Sequence, residues 1–323
     1  MPSPETVQLS VIIPVLNDAT GLRRCLQSLR TNAIPSLERE VIVVDNGSTD
    51  GTAAVAREAR VTILDLPGLR VSELRNRGAE AARGRALAFI DADHEVVSGW
   101  ADTACSLLEE NGVGGAGAAY LSPPAGTWVQ AMFGRLRGRP AGRHDVEWLA
   151  SGNLALRRAV FAEVGGFDTR LEVCEDVDLC RRVRTAGWRL VSDARLESVH
   201  HGDPATLGAL FRSELWRGRD NLRVSLRHPT LRDLPSIAIP VVDLACLAAI
   251  PIAPAFAGWP GVGVAGVSAL VIAGLAALRA LRMLGSPPSW RPFVWCQALS
   301  VAITYDVARA LALVFRARHR RAR

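Results

Sequence analysis

The sequence predicts an α/β protein with a doubly wound, mostly parallel central sheet, followed by a C-terminal helical membrane region. Three observations predict it. Short β-branched apolar runs alternate with stretches of helical spacing from Leu9 to Ile90, the pattern of successive strand–helix–strand units. Those runs stop at Asn or Asp residues, at the strand ends where such sheets bind ligands. Two apolar tracts, Ile237 to Phe256 and Val262 to Leu278, follow in the last third of the chain.

Leu9 to Val15 reads as a buried strand containing Pro14. Asn17-Asp18 is expected to cap the next helix, where Leu22, Cys25, Leu26 and Leu29 recur at helical spacing. Glu40 to Asp45 is the second strand and runs into the small, polar turn Asn46 to Thr52. Val61 to Leu64 is the third strand, Val71 to Arg83 a helix, and Arg85 to Ile90 the fourth strand. Beyond it, Trp100 to Glu110 reads as a helix and the glycine-rich Asn111 to Tyr120 as room for a strand. The basic stretch Thr127 to Arg143 is expected as a mobile loop over the site. Arg157 to Val164 and the stretch from Glu175 read as helices, the latter with acids first and Arg later, as the helix dipole favours.

Of the 323 residues, 49% are hydrophobic, and the mean hydropathy of +0.16 is high for a wholly soluble chain. All 38 basic residues are Arg. Nine of them, with one acid (Asp306), fall between Arg279 and Arg323, so the rest of the chain is close to neutral despite the formal charge of +6. A near-neutral body with a basic end argues against a nucleic-acid partner and for a membrane-facing end. The six cysteines are scattered without a C-x-x-C pair, which excludes a disulfide framework and a zinc-knuckle pattern. They read as buried thiols of a reducing compartment. The polar residues up to Gln8 carry no signal-peptide pattern.

The chemistry centres on Ala88 to His94, where an apolar run stops at Asp91 and Asp93. Residues two apart in extended backbone point to the same side, so both carboxylates can address one object. Oxygen ligands of this kind suit Mg²⁺ or Mn²⁺. Asn17, Asp45 and Asp91/Asp93 each lie just past a strand end, and such ends gather in one crevice. On the residues alone, Glu175-Asp176 is equally explained as helix-start acid chemistry, and His200-His201 as structural histidines.

From Phe211 to Arg232, six Arg are interleaved with Phe211, Leu215, Trp216, Leu222, Val224 and Leu226, which suits a helix at a membrane interface. The two apolar tracts flank a tight turn at Gly258 to Gly261. At ~1.5 Å per residue each is just adequate for a ~30 Å hydrocarbon core. Arg279, Arg282 and Arg291 place the following flank in the cytoplasm, so a hairpin with both flanks cytoplasmic is expected. Phe293 to Phe315 is interrupted by Gln297, Asp306 and Arg309. It reads as an interfacial or third membrane helix, with the interfacial placement favoured because a third span would carry the Arg-rich end across.

Ser10 to Pro14, Val43 to Thr52, Arg75-Asn76-Arg77-Gly78, Asp91-Ala92-Asp93 and Glu175-Asp176, in this order and spacing, resemble a family 2 glycosyltransferase of the membrane-anchored bacterial type. The resemblance covers about residues 8–220. It implies a GT-A fold, a nucleotide-diphosphate sugar donor with a UDP-sugar favoured, and inversion at the anomeric carbon. It further implies that Pro14, Asp45 and Asn46 line the nucleoside pocket, with Asn17 and Arg75 as nearby donor contacts. Asp91 and Ala92 would face the ribose or the metal, and Asp93 would bind Mn²⁺ or Mg²⁺. His200 would complete the metal site, with His201 as the alternative. Asp176 would be the general base with Glu175 beside it, and Ser151-Gly152-Asn153 would shape the sugar and acceptor site. His94 stands where relatives often carry an acid. Arg212 to Trp216 lacks the Gln and Arg of the Q-x-x-R-W motif of processive synthases, so a polymer-extruding synthase is not expected.

The expected layout is a nucleotide-sugar-binding half over 1–95, an acceptor and catalytic half over 96–205, an amphipathic neck over 206–235, a transmembrane hairpin over 236–282, and a last helix with a basic tail over 283–323. The expected activity is metal-dependent transfer to an acceptor hydroxyl or phosphate, with a lipid-linked acceptor favoured. The expected place is the cytoplasmic (inner) membrane, multi-pass, with the catalytic domain in the cytoplasm. The rival expectation is a non-catalytic membrane scaffold with a degenerate glycosyltransferase domain.

Overall fold

A computed structural model describes residues 7–31, 38–138, 142–220, 224–226, 234–285 and 291–315. The elements run β1 (Leu9–Val15), α1 (Ala19–Thr31), β2 (Arg39–Asp45), α2 (Thr52–Glu58), β3 (Thr62–Asp65), α3 (Val71–Ala81), β4 (Ala86–Ile90), β5 (His94–Val96) and α4 (Trp100–Glu109). There follow β6 (Val113–Gly117), β7 (Tyr120–Leu121), α5 (Trp128–Arg137), β8 (Arg143–Val146), β9 (Asn153–Arg157), α6 (Arg158–Glu163), α7 (Glu175–Thr185), β10 (Arg189–Asp193) and β11 (Ser198–His200). The chain closes with α8 (Leu207–Arg217), α9 (Leu234–Leu284) and α10 (Pro292–Leu311). Two compact units result, Met1–Pro123 with Arg139–Gly202, and Pro124–Gly138 with Asp203–Arg323. Residues 124–138 therefore group with the C-terminal part and not with the 96–205 stretch in which they fall by sequence.

The first unit is built on an eight-stranded sheet in the order β3-β2-β1-β4-β9-β6-β10-β8. The pairs β1–β2, β1–β4, β2–β3 and β6–β10 are parallel, whereas β9 runs antiparallel to both β4 and β6. Helices cover both faces, so the strands are apolar on both sides. Within β1, Val11 and Ile13 join one core with Leu22, Leu26, Val43 and Trp100. Ile12 joins the opposite core with Val44, Leu74, Phe89, Leu154 and Leu179. This alternation is the period-2 consequence of extended backbone. A second, three-stranded sheet has the order β5-β11-β7. Its strands are two or three residues long, too short to leave a periodic signal in the sequence.

The second unit contains α5, α8, α9 and α10. The expected mobile loop over Thr127 to Arg143 is not one: most of it is α5. Thr127 and Gln130 form a reciprocal capping box, and Val129, Met132 and Phe133 lie on the helix's buried face. Arg137 donates to Asp203 at 2.6 Å. Residues 139–141 lie outside the described residues. Helix α9 is broken at Gly258 (φ 57°, ψ −134°) into two helices, a conformation glycine reaches without a Cβ penalty. It is long and apolar enough to cross a membrane, and Phe256 and Trp259 near its break are 87% and 88% exposed. The interruptions in α10 face inward: Arg279 donates to Asp306 at 2.7 Å, and Arg309 donates to Glu214 at 2.8 Å. Half of the Arg-rich neck (Arg223, Arg227, Arg232) and the basic tail from Arg316 lie outside the described residues. All six cysteines are free, with Cys25 and Cys180 buried and Cys296 exposed.

Gly78 on α3 presses against the sheet. A Cβ there would meet Ile12 Cγ2 at 2.4 Å and Val44 Cγ2 at 3.1 Å. Gly78→Ala, although favourable for helix propensity, is expected to destabilise the protein by about 1–3 kcal/mol through overpacking. A lowered urea midpoint of the purified chain checks this; an unchanged or raised midpoint contradicts it.

Candidate active site

The C-terminal ends of β1, β2 and β4 open on a cleft of about 280 Å³ lined by Pro14, Asn46, Leu74, Asp91, Ala92 and Asp93, among others. The turns around it are locked by side chains. Asn17 takes a left-handed backbone conformation (φ 52°), and its Oδ1 accepts from Thr49 N at 2.7 Å. Asp18, not Asn17, caps α1, accepting from Gly21 N at 2.8 Å. Asp45 Oδ1 accepts from Ser48 N at 2.9 Å and from Ser48 Oγ at 2.6 Å. The Asn46 amide bonds both backbone groups of Leu69, each at 3.0 Å. Pro14, Asn46, Asp91, Ala92 and Asp93 thus share the cleft, while Asn17 and Asp45 brace the turns that form its walls.

Arg75 differs from its expected position as a donor contact. Its side chain is 3% exposed, and it donates to Asp91 Oδ1 and to Glu175 Oε1, each at 2.7 Å. Burial opposes its charge, but Asp91 and Glu175 outweigh that effect and raise its pKa above the ordinary Arg value. Asp91 thus gives one oxygen to Arg75, keeps a side chain 36% exposed on the cleft, and is not part of the metal-competent cluster described below. Beside Glu175, Asp176 accepts from Val177 N at 2.8 Å and from Ser151 N at 3.3 Å. Burial first, and the neighbouring Glu175 charge second, push its pKa up to about 7. Ser151 Oγ donates to Glu175 at 3.3 Å, and Gly152 O accepts from Asp91 N at 3.2 Å. Asn153 does not reach the cleft. It is fully buried, accepting from Trp100 Nε1 at 2.8 Å and donating to Leu196 O at 2.7 Å.

On the other side of Asp91, the small sheet pairs His94 with His200 across an antiparallel register. Asp93 Oδ2 lies 3.2 Å from His200 Nε2, and Asp93 Oδ1 lies 4.0 Å from His94 Nε2. Ligand-capable atoms of Asp93, His94 and His200 lie within 4.8 Å of one another. Burial opposes ionisation of Asp93, but the His200 hydrogen bond and the adjacent imidazoles hold it well below the usual carboxylate range. His201 turns away to Glu95, 3.0 Å from its Oε2. The donor set suits a divalent cation, and glycines keep its surroundings open. A Cβ on Gly202 would lie 1.9 Å from Asp93 Oδ2, and one on Gly152 would lie 2.6 Å from Asp91 Oδ2. His94 went unassigned in the sequence because its neighbourhood depends on a strand pairing more than a hundred residues away.

The mostly parallel sheet, with its cleft at the strand ends, has the GT-A architecture of glycosyltransferases. The model of the family described as glycosyl transferase family 2 matches residues 10–165. Glycosyltransferase AglE of Haloferax volcanii is 30% identical over 243 residues, 72% of this chain and 79% of its own length. Succinoglycan biosynthesis protein ExoA of Rhizobium meliloti is 29% identical over 267 residues, 74% of this chain and 78% of its own. Among solved structures, the mannosyltransferase PcManGT from Pyrobaculum calidifontis, in complex with GDP-Man and Mn²⁺, matches with a TM-score of 0.62 at 17% identity, covering 96% of this chain and 89% of that one. The chain belongs to glycosyltransferase family 2, and it is an enzyme of that kind.

Gly202→Ala is expected to displace the Asp93 carboxylate and abolish stabilisation by Mn²⁺. Thermal unfolding with and without the ion checks this; a full Mn²⁺-dependent shift in the variant contradicts the site.

Proposed function

We propose that this chain transfers a sugar, with inversion, from a nucleotide-diphosphate sugar to an acceptor hydroxyl or phosphate, the acceptor being lipid-linked and used at the cytoplasmic face of the membrane. The observation that carries the reading is the Arg75 bridge. It ties Asp91, on the donor cleft, to Glu175, next to Asp176. Solved relatives of the fold support the donor class: PcManGT is described with GDP-Man and Mn²⁺, and a TarS fragment, matching with a TM-score of 0.53, with UDP. The long apolar helix α9 supports membrane attachment.

Pro14, Asn46 and the turn braced by Asp45 receive the nucleoside, and Asp91 faces the ribose in an orientation held by Arg75. Asp93 and His200 would hold Mn²⁺ or Mg²⁺. Such an ion, when bound, neutralises the charge that develops on the departing diphosphate. Asp176 takes the proton of the acceptor as it attacks. A pKa of about 7 suits that task, because a base works best with a pKa near the working pH. The backbone N–H groups of Ser151 and Val177 keep the Asp176 carboxylate in place, and Arg75 limits how far burial and Glu175 raise its pKa.

Asp176→Asn is expected to retain donor binding by calorimetry and to lose transfer by about 10²–10⁴-fold, the usual worth of general acid–base catalysis; normal turnover would sink the assignment. In the wild type kcat/KM falls as pH drops through about 7, because protonated Asp176 accepts nothing. Glu175→Gln removes the negative neighbour and moves that limb to lower pH. A limb that stays put shows that another group is being titrated. The chain is further expected to remain in the membrane fraction after alkaline carbonate washing; release into the supernatant would argue against an integral hairpin.

A further inference from the structure

We propose that His94 is a third protein ligand of the divalent cation, and that its imidazole makes the site select Mn²⁺ or Co²⁺ over Mg²⁺. The inference rests on the reading of Asp93 and His200 as metal ligands and extends it to a residue that reading leaves without a task.

Four observations carry it. The antiparallel register of β5 and β11 sets His94 directly opposite His200, with ring centroids 4.7 Å apart. His94 is 1% exposed, and Tyr120 packs edge-on against it at 4.4 Å, so the ring is fixed. Its Nδ1 lies 2.8 Å from Ser198 Oγ. When Nδ1–H donates to that hydroxyl, Nε2 carries the lone pair and faces Asp93, the arrangement that outer hydrogen bonds impose on metal-bound histidines. Finally, the backbone in front of both ring nitrogens is glycine. A Cβ on Gly152 would lie 3.1 Å from His94 Nε2, and one on Gly202 would lie 3.1 Å from His200 Nε2.

The chemistry follows from the donor count. Mg²⁺ is a hard ion that takes oxygen ligands and gives up water reluctantly. Two imidazoles and one carboxylate form a nitrogen-rich set, and affinity for nitrogen sites rises along the first-row divalent series from Mn²⁺ to Co²⁺. An acid in place of His94 would make the set oxygen-rich and admit Mg²⁺ on better terms.

The test uses the purified full-length chain stripped of metal. Calorimetric titration is expected to give Mn²⁺ and Co²⁺ affinities well above that for Mg²⁺. Pulsed EPR of the Mn²⁺ form is expected to show couplings to two imidazole nitrogens. His94→Gln is expected to leave one coupled nitrogen and to narrow the Mn²⁺/Mg²⁺ ratio by at least about tenfold. Ser198→Ala, which leaves His94 in place, is expected to weaken Mn²⁺ binding by about 10–100-fold, as loss of an outer partner does. One coupled nitrogen in the wild type, or a His94→Gln variant with unchanged affinities where His200→Ala abolishes binding, overturns this inference and leaves the Asp93–His200 site standing. Mn²⁺ binding untouched by both His94→Gln and His200→Ala overturns the metal reading itself.

Discussion

One buried guanidinium, that of Arg75, is shared by two carboxylates from distant parts of the chain. Asp91 comes from the end of β4 and Glu175 from the start of α7, and each accepts a 2.7 Å hydrogen bond from it. Removing one partner of a buried ion pair costs about 3–5 kcal/mol, because a charge is left without compensation. Here it would leave two carboxylates uncompensated, beside an Asp176 whose own pKa is already raised. A planar guanidinium can serve two carboxylates in fixed directions, which a lysine ammonium cannot. The bridge ties Asp91, on the cleft, to the start of α7 beside the proposed base, and it explains why a residue in the middle of a helix is polar yet buried.

The neighbouring cluster depends on a different constraint, the register of a three-stranded sheet. His94 follows Asp93 directly, while His200 arrives on β11, and the pairing of β5 with β11 faces them across one gap. Glycines at 152 and 202 keep that gap from filling. Polar chemistry on one side and missing side chains on the other are the two halves of a single design: ligands need both direction and room.

The second unit applies the same rule to a very different composition. Its helices are rich in alanine and bury a core that includes Ala276, Ala280, Ala298 and Ala302. Two of its buried acids, Glu214 and Asp306, are 1% and 3% exposed at their side chains and are each met by an arginine, whereas Asp243 on α9 is 1% exposed with no hydrogen bond to its carboxylate among the described residues. Asp306 and Arg309, which look like breaks in α10, are in ion pairs with Arg279 of α9 and Glu214 of α8, which is where ionisable groups in such segments are tolerated. Large apolar side chains are left exposed around the break at Gly258 instead, where an apolar surrounding would receive them.

What the sequence by itself determined follows local rules. Strands β1, β2 and β4 are legible because buried parallel strands are continuous apolar runs. Helix α7 is legible from its acids and arginines, and the break in α9 from the glycine turn between its two apolar tracts. Asp45, Asp91 and Asp93, too, were legible as polar residues at or just past strand ends. Helix α5 was missed although its Thr127-x-x-Gln130 box was present, because its basic composition suggested a loop. Tertiary structure alone decided the rest. It joined Arg75 to both Asp91 and Glu175, buried Asn153 against Trp100, turned His201 to Glu95, and brought His200 to Asp93 and His94. These outcomes depend on partners as far as a hundred residues apart. A chain reports its own periodicity and caps, but the partner of a buried polar group is chosen only when distant strands come into register.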